Sequence, residues 1–490
     1  MTSGGAVEID DGGRTDARDD DASDTARLIG AARARRRRNT KSLSRVSTPR
    51  LIGMNAFFFA YGAWISSFAI VTLPYEATMF FPKADSVALG AFMVIAGASQ
   101  LSGPWAGYVS DRSRHAMGRR RPMIARGAMC VGPCLVMMFV ARTYVDALAA
   151  WAPTCYYLAF TLTMVALNVM YTAATGLVPD IVPEEQTGES NGVLAAMSAA
   201  GACASFVYTM VYPDVSTLYF FYTGLLVTCV PITCYCANES SSLEDEEDEE
   251  RNDESSRWDA DVDFSWRELA QSYVISPTAP EQKSFFWLFI CRTLYYTGIS
   301  AQVFLQYLLR DTAVKDDGSG LTGREPQQTV ARLSFIGQVG GMLCAYPAGL
   351  LSDALGRRPL IVVACVGIIS VYIMFMRVHN LTTIMYIGAY YGAMNGMFLS
   401  VDYALAIDCL PSREDAARWL AIWGVASFIG TSIGPTMFSL ILHFAPPPDE
   451  GRVYGSSQAG YDAMLLAGAA WMALCAAFLH LVRPNKLAAR

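Results

Sequence analysis

Asp402 and Arg292 are ionisable residues set inside long apolar stretches, in LSVDYALAI and LFICRTLYY. Charges are costly in hydrocarbon, so such residues face protein or a water-filled path and usually carry a task. A carboxyl group taken out of water holds its proton more tightly. Asp402 is therefore a candidate carrier or relay for a coupling proton. Arg292 is its candidate partner, and plain neutralisation of one charge by the other is the competing reading.

Polar residues also recur on single helical faces, at steps of three, four and seven. One stripe is Asn55, Gly62 and Ser66, and a second is Thr161, Asn168, Thr172 and Thr175. A third is Tyr295, Gly298, Gln302 and Gln306, and a fourth is Tyr391, Asn395 and Asp402. Amides and hydroxyls can bond pairs of hydroxyl groups, and aromatic rings can stack on sugar C–H faces. The stripes thus suit a neutral polyhydroxy ligand. The competing reading is that they bond neighbouring helices to one another.

Other chemistries lack their residues. His115, His379, His443 and His480 are scattered, without a nucleophile or a set of metal ligands. None of the 12 cysteines has zinc-like spacing with a histidine nearby, and buried cysteine commonly acts as a small apolar packing residue. No glycine-rich phosphate loop is present, so pumping driven by ATP is unsupported. We expect no enzyme activity, no cofactor and no metal.

The elements that must hold these residues are apolar helices. The 490-residue chain is 53% apolar and only 17% charged, where soluble chains carry about 25% charge. Spanning a bilayer takes about 20 apolar residues. Twelve stretches qualify: 51–73, 86–109, 123–141, 147–178, 191–212, 216–237, 284–309, 333–351, 360–377, 382–407, 418–443 and 461–482. The expected fold is an all-α polytopic membrane protein with twelve transmembrane helices in two six-helix halves, 51–237 and 284–482.

Residues 1–50 read as a disordered cytosolic tail, with no signal peptide. Residues 238–283 read as an acidic cytosolic linker holding seven consecutive acids, Glu244–Glu250. Within it, Ser265-x-x-Glu268 resembles a capping box for a short interfacial helix. Residues 483–490 form a short cytosolic tail. The net charge of −7 comes from these acidic segments, so no nucleic-acid partner is implied. With the N-terminus in the cytosol, 28 of the 37 Lys and Arg fall inside, 8 outside, and Arg292 lies within a helix. The positive-inside rule then puts both termini in the cytosol. Asp24-Thr-Ala-Arg-Leu28-Ile29 resembles an acidic dileucine signal that adaptors read. The membrane is therefore either the plasma membrane or a vacuolar or lysosomal one.

The chain repeats itself. AGYVSDRSRHAMGRRRP (106–122) and AGLLSDALGRRP (348–359) each follow the second helix of a half. Asp111 and Asp353 correspond, 242 positions apart, as do Gly107 with Gly349 and Gly118-Arg119-Arg120 with Gly356-Arg357-Arg358. Asp180-Ile-Val-Pro183 and Asp408-Cys-Leu-Pro411 repeat at an offset of 228. A duplicated six-helix unit is the architecture of a rocking transporter. Gly107 and Gly349 permit close helix approach. Asp111 can accept from a helix N-terminus or pair with an arginine. Such contacts would shut the cytosolic edge and break as the halves rock. Arg121 and Arg126 need do no more than enforce orientation.

Asp111-Arg112 through Gly118-Arg119-Arg120 resembles the major facilitator signature after helix two. The longer string SDRSRHAMGRRRP is similar to the proton–sugar symporter branch, with plant sucrose transporters and animal solute carrier family forty-five. NVMYTAATGLVPDIVPEEQTGESNG (168–192) and VDYALAIDCLP (401–411) look like members of the same branch. The resemblance covers about 51–482. It implies that helices one, four, seven and ten line a central cavity, and that a sugar and a proton are the partners. One position departs: plant sucrose transporters have a membrane-embedded arginine where this chain has Thr175. The expected function is secondary active, proton-coupled movement of a sucrose-like disaccharide or a monosaccharide. The alternatives are transport of another small organic solute and a non-transporting nutrient sensor.

Overall fold

The computed structural model describes residues 45–111, 113, 115, 117–148, 151–237, 275–412, 416–446 and 456–483. The tail with the dileucine-like motif, the acidic linker up to residue 274 with its capping box, Arg112, the side chain of Asp111 and the last seven residues lie outside the described residues.

A short helix, Thr48–Met54, leads into α1, Ala56–Phe80. The first half continues with α2 (Asp85–Ser110), α3 (Arg121–Thr143), α4 (Trp151–Ile181), α5 (Thr187–Val211) and α6 (Val215–Cys236). The second half opens with α7, which runs as Lys283–Ile299, a 3-10 turn over Ser300–Phe304, and Leu305–Thr312. It continues with α8 (Glu325–Leu355), α9 (Arg357–Phe375), α10 (Leu381–Asp408), α11 (Ala416–His443) and α12 (Gln458–Phe478). Among the described residues there is no strand, and ten helices are long and apolar enough to cross a membrane. The other two are α7 and α10. They carry Arg292, Gln302, Gln306, Asn395 and Asp402, and this polar load lowers their hydropathy.

Packing repeats as the sequence does. α1 packs on α5 and α6, as α7 packs on α11 and α12. α4 contacts α2 and α3, as α10 contacts α8 and α9. The halves meet through α2 against α11 and α5 against α8. These two pairs exchange when the first half is mapped on the second, so the interface has its own pseudo-two-fold.

Backbones approach closely between α1 and α5, at Gly62 and Gly201, and between α8 and α10. A Cβ on Gly392 would fall on the carbonyl of Gly337. Small residues allow such contact in membranes, where close packing drives helix association. Gly392→Val is expected to cost about 1–3 kcal/mol or more, read as a lower melting temperature in detergent, while Gly224→Val, with open space beside it, changes little.

Helix α1 runs past the expected end at 73 to Phe80. Pro74 lies just past that end, and proline has no N–H and its ring crowds the carbonyl four residues back. The chain instead widens into a π turn over Phe68–Thr72 just before the proline. That widening moves the Ile70 carbonyl away from the ring and leaves it free to accept from elsewhere. Similarly, α5 starts at Thr187 and α8 at Glu325, each earlier than hydropathy alone indicates.

Besides a contact from Gln306 to the π turn of α1, the hydrogen bonds and ion pairs seen between described residues of the two halves gather at the end away from the termini. There Tyr307 donates to the Pro74 carbonyl at 2.9 Å and Gln328 to that of Met210 at 3.2 Å. Arg310 lies 3.5 Å from Asp85 and 3.4 Å from the Thr78 hydroxyl. Arg324 pairs with Asp214 at 3.0 Å. We call this the fastened end.

Candidate functional site

Asp402 is buried on α10 and pairs with Arg292 of α7, itself buried. The guanidinium also lies 3.3 Å from the centre of the Trp423 ring on α11 and 4.8 Å from that of Tyr296. Cation–π contact of this kind strengthens as water is removed. Three helices are thus tied through one arginine. Its Nε has no hydrogen-bond partner among the described residues.

Towards the fastened end, α7 and α10 exchange two further contacts. Tyr295 donates to Asn395 Oδ1 at 2.8 Å and stacks on Phe398 with ring centres 3.3 Å apart. Tyr391 donates to Gln302 Oε1 at 2.9 Å. The third and fourth sequence stripes therefore face each other. The amide nitrogens of Gln302 and Asn395 remain as donors that these two bonds do not use.

The remaining candidates are placed differently. Gln306 crosses to the first half: turned so that its nitrogen donates, it reaches the Ile70 and Val71 carbonyls at 3.2 and 2.9 Å. It satisfies the π turn of α1. Asn168 donates to Ser99 Oγ at 2.8 Å, tying α4 to α2. Thr172 and Thr175 donate to carbonyls of their own helix at 3.0 Å. Asn55 is buried at the start of α1 and donates to Leu51 O at 2.8 Å. Ser66 is half-buried.

The repeated loops form matched ion pairs. Arg120 Nε bonds Asp180 at 2.9 Å, its Nη1 bonds Ser110 at 2.5 Å, and Arg119 lies 3.9 Å from Asp180. In the second half Arg357 bonds Asp408 at 2.6 Å and lies 3.7 Å from Asp353. Arg358 donates to the Val482 carbonyl at 2.9 Å. Counted forward from glycine, the first half uses its second arginine and the second half its first. Counted back from Pro122 and Pro359, both are two residues before, because the proline opens the next helix and sets the register. Gly118 (φ 97) and Gly356 (φ 90) hold the turn in the left-handed region. Gly107 and Gly349 lie near Thr172 and Ser400. All these pairs lie within a half, at the end of the termini.

Arg120 is buried and bonds two groups at once, which needs the planar fork of arginine. Arg120→Lys is expected to lose about 1.5–3 kcal/mol, measured as lowered thermal stability in nanodiscs, with Arg119→Lys close to wild type.

Sequence reasoning missed a second buried pair. Glu76 on α1 is fully buried and lies 2.6 Å from Arg142 at the end of α3. Tyr219 donates to its Oε1 at 3.3 Å, and the Tyr219 and Tyr156 hydroxyls are 2.7 Å apart. The signal was present: the chain stays apolar to Phe81 after Pro74, so Glu76 is an acid within a span. Arg310, Asp311 and Asp85 of the fastened end were also missed, because a charge pair at a helix end looks like a loop.

The chain matches the Major Facilitator Superfamily over residues 15–206 and 287–490 and belongs to it. No curated protein matches its sequence. Among solved structures it is similar to a mutant of the nucleoside transporter NupG, with TM-score 0.64, 12% identity, and 89% of this chain and 98% of that one covered. It is likewise similar to a D-xylose-proton symporter, with TM-score 0.63, 11% identity, and 89% and 97% covered. A third is the peptide transporter POT in complex with sulfate, with TM-score 0.60, 11% identity, and 91% and 99% covered. At such identity the likeness speaks for the fold. The chain is a multi-pass membrane transporter of a small solute and not an enzyme.

Proposed function

We propose that the protein is a proton-coupled sugar transporter working by alternating access, with both termini in the cytosol. The halves 51–237 and 284–482 rock about the pseudo-two-fold interface. In that orientation the fastened end is extracellular or lumenal. The observation that carries the reading is the α7–α10 face. A buried Arg292–Asp402 pair lies below hydroxyl, amide and aromatic groups from Tyr295, Gln302, Tyr391 and Asn395. Uncharged donors and acceptors beside rings suit a polyhydroxy ligand, and a buried carboxylate suits a proton. The loop sequence similar to the sugar symporter branch supports the same substrate class. Asp402 carries the proton, and Arg292 stabilises its ionised form. The motif pairs at Asp180 and Asp408 brace each half at the cytosolic edge. The membrane is the plasma membrane or a vacuolar or lysosomal one, the latter by adaptor recognition of the N-terminal motif.

The test is uptake of labelled sucrose and glucose into proteoliposomes with and without an inward proton gradient. Accumulation that a protonophore abolishes is expected. Absence of uptake across a sugar panel would remove the sugar, and the same assay on other small organic solutes, or a search for sensing, would follow.

A further inference from the structure

The segment Leu73–Phe80 of α1 has two working faces. Its outer face carries the Pro74 carbonyl and the Thr78 hydroxyl, which receive Tyr307 and Arg310 of the other half. Its inner face carries Glu76. That carboxylate has one cation, Arg142, and one neutral donor, Tyr219. Its Oε2 is buried and has no hydrogen-bond partner among the described residues. An ionised carboxylate has about four acceptor sites to fill, so this one is poorly served for a charge without water.

Arg142 leads onward. It also bonds the hydroxyl of Ser216, whose backbone N–H donates to Asp214 Oδ1 at 3.0 Å. The other oxygen of Asp214 takes Arg324 from the second half at 3.0 Å. Ser216 thus stands between Arg142 and Asp214. If Glu76 became neutral, Arg142 would turn towards Asp214, to which Ser216 already links it, and would compete with Arg324. One carboxylate therefore stands behind both fasteners: the helix segment that Tyr307 and Arg310 grip, and the Asp214–Arg324 pair.

We propose that Glu76 is a second proton-binding site, and that its protonation releases the fastened end. The proposal rests on the alternating-access reading above, not on the sugar. The titratable groups facing Glu76 are Arg142 from α3, Tyr156 from α4 and Tyr219 from α6. Tyr75 lies beside Arg142, Asp214 lies beyond Ser216, and Asp85 opens α2. Among these Glu76 is the group whose charge the ion pair needs and whose loss frees Arg142. The sign follows: the pair is present while Glu76 is ionised, so closure holds at higher pH and is lost as pH falls.

The experiment needs no substrate. Spin labels on non-natural residues replacing exposed Tyr212 and Tyr386, one in each half near the fastened end, report its opening in the full chain in nanodiscs. In the wild type the long-distance population is expected to grow between about pH 8 and about pH 5.5. Glu76→Gln should show that population at both values, at roughly fivefold or more the wild-type level at high pH. Glu281→Gln, at an exposed carboxylate just before α7, should keep the wild-type response. A wild type that ignores pH, or a Glu76→Gln protein with the wild-type response, would overturn the proposal. Should the glutamine variant fail to fold, Glu76→Asp decides: a displaced midpoint supports Glu76, and an unmoved one rules it out. A pH response without sugar uptake sinks the sugar and spares this site. Gradient-driven uptake without a pH response does the reverse.

Discussion

Asp402→Asn is expected to abolish gradient-driven accumulation while leaving exchange of substrate across the membrane measurable. Exchange needs only binding and rocking, whereas accumulation needs the proton. The substitution also removes one member of a buried ion pair. That leaves Arg292 buried and uncompensated, at a cost of about 3–5 kcal/mol. Arg292→Gln should cost a similar amount from the other side. The double variant should recover most of the loss, because two neutral amides bury no net charge. Thermal unfolding of all four proteins closes the cycle. Melting temperatures alone measure the pair as a structural link. The split between exchange and accumulation measures the proton. If Asp402→Asn accumulates sugar like the wild type, Asp402 is only the partner of Arg292.

The second large effect is expected at the fastened end. Arg310 holds Asp311 of its own helix bidentately at 2.8 and 3.1 Å, and Tyr461 of α12 donates to the same carboxylate at 2.5 Å. The guanidinium is thus aimed before it meets Asp85 and Thr78. Arg310→Gln combined with Tyr307→Phe removes the Tyr307 and Arg310 contacts to α1 and α2, leaves the Gln306 contact to the π turn, and is expected to keep the fold of each half. A loss of about 1–3 kcal/mol would shift the closed-to-open equilibrium by about 5- to 150-fold. The readout is alkylation of a thiol placed at Ser439, which is buried against Gly90 across the halves. Labelling faster than in the parent, above the background of native cysteines, is the expected result. An unchanged rate would mean that α2–α11 packing alone keeps this end shut.

The spans were legible because long, mostly apolar stretches are a signal that needs no tertiary information, strong in ten of them and weaker in α7 and α10. The two-half repeat was legible for a similar reason: GRRRP and GRRP are the same loop written twice. What failed was local where it needed geometry. The first span was ended at 73, and nothing in the letters says that a π turn will carry the helix past Pro74 to Phe80. Consequently Glu76 fell outside the first helix, and its pairing with Arg142 went unseen. The polar stripes were found, yet Thr172 and Thr175 spend their hydroxyls on their own backbone, a habit of threonine in helices that spacing cannot reveal. Gln306 was expected to face solute and instead completes the hydrogen bonding of a widened turn in the other half. Asp402 and Arg292 were legible because each is costly where it stands, and each is the nearest remedy for the other.

Two guanidinium groups on spanning helices are each held by a fully buried carboxylate: Arg142 by Glu76, and Arg292 by Asp402. An electric field across the bilayer does work on net charge, about 2.3 kcal/mol for each elementary charge carried through 100 mV. A cation and an anion that move together present almost none. The unloaded carrier should therefore reorient with little regard for membrane voltage. A proton on either carboxylate uncovers an arginine, and the same displacement then transfers charge. Voltage dependence in this protein is expected to follow the occupied steps of the cycle.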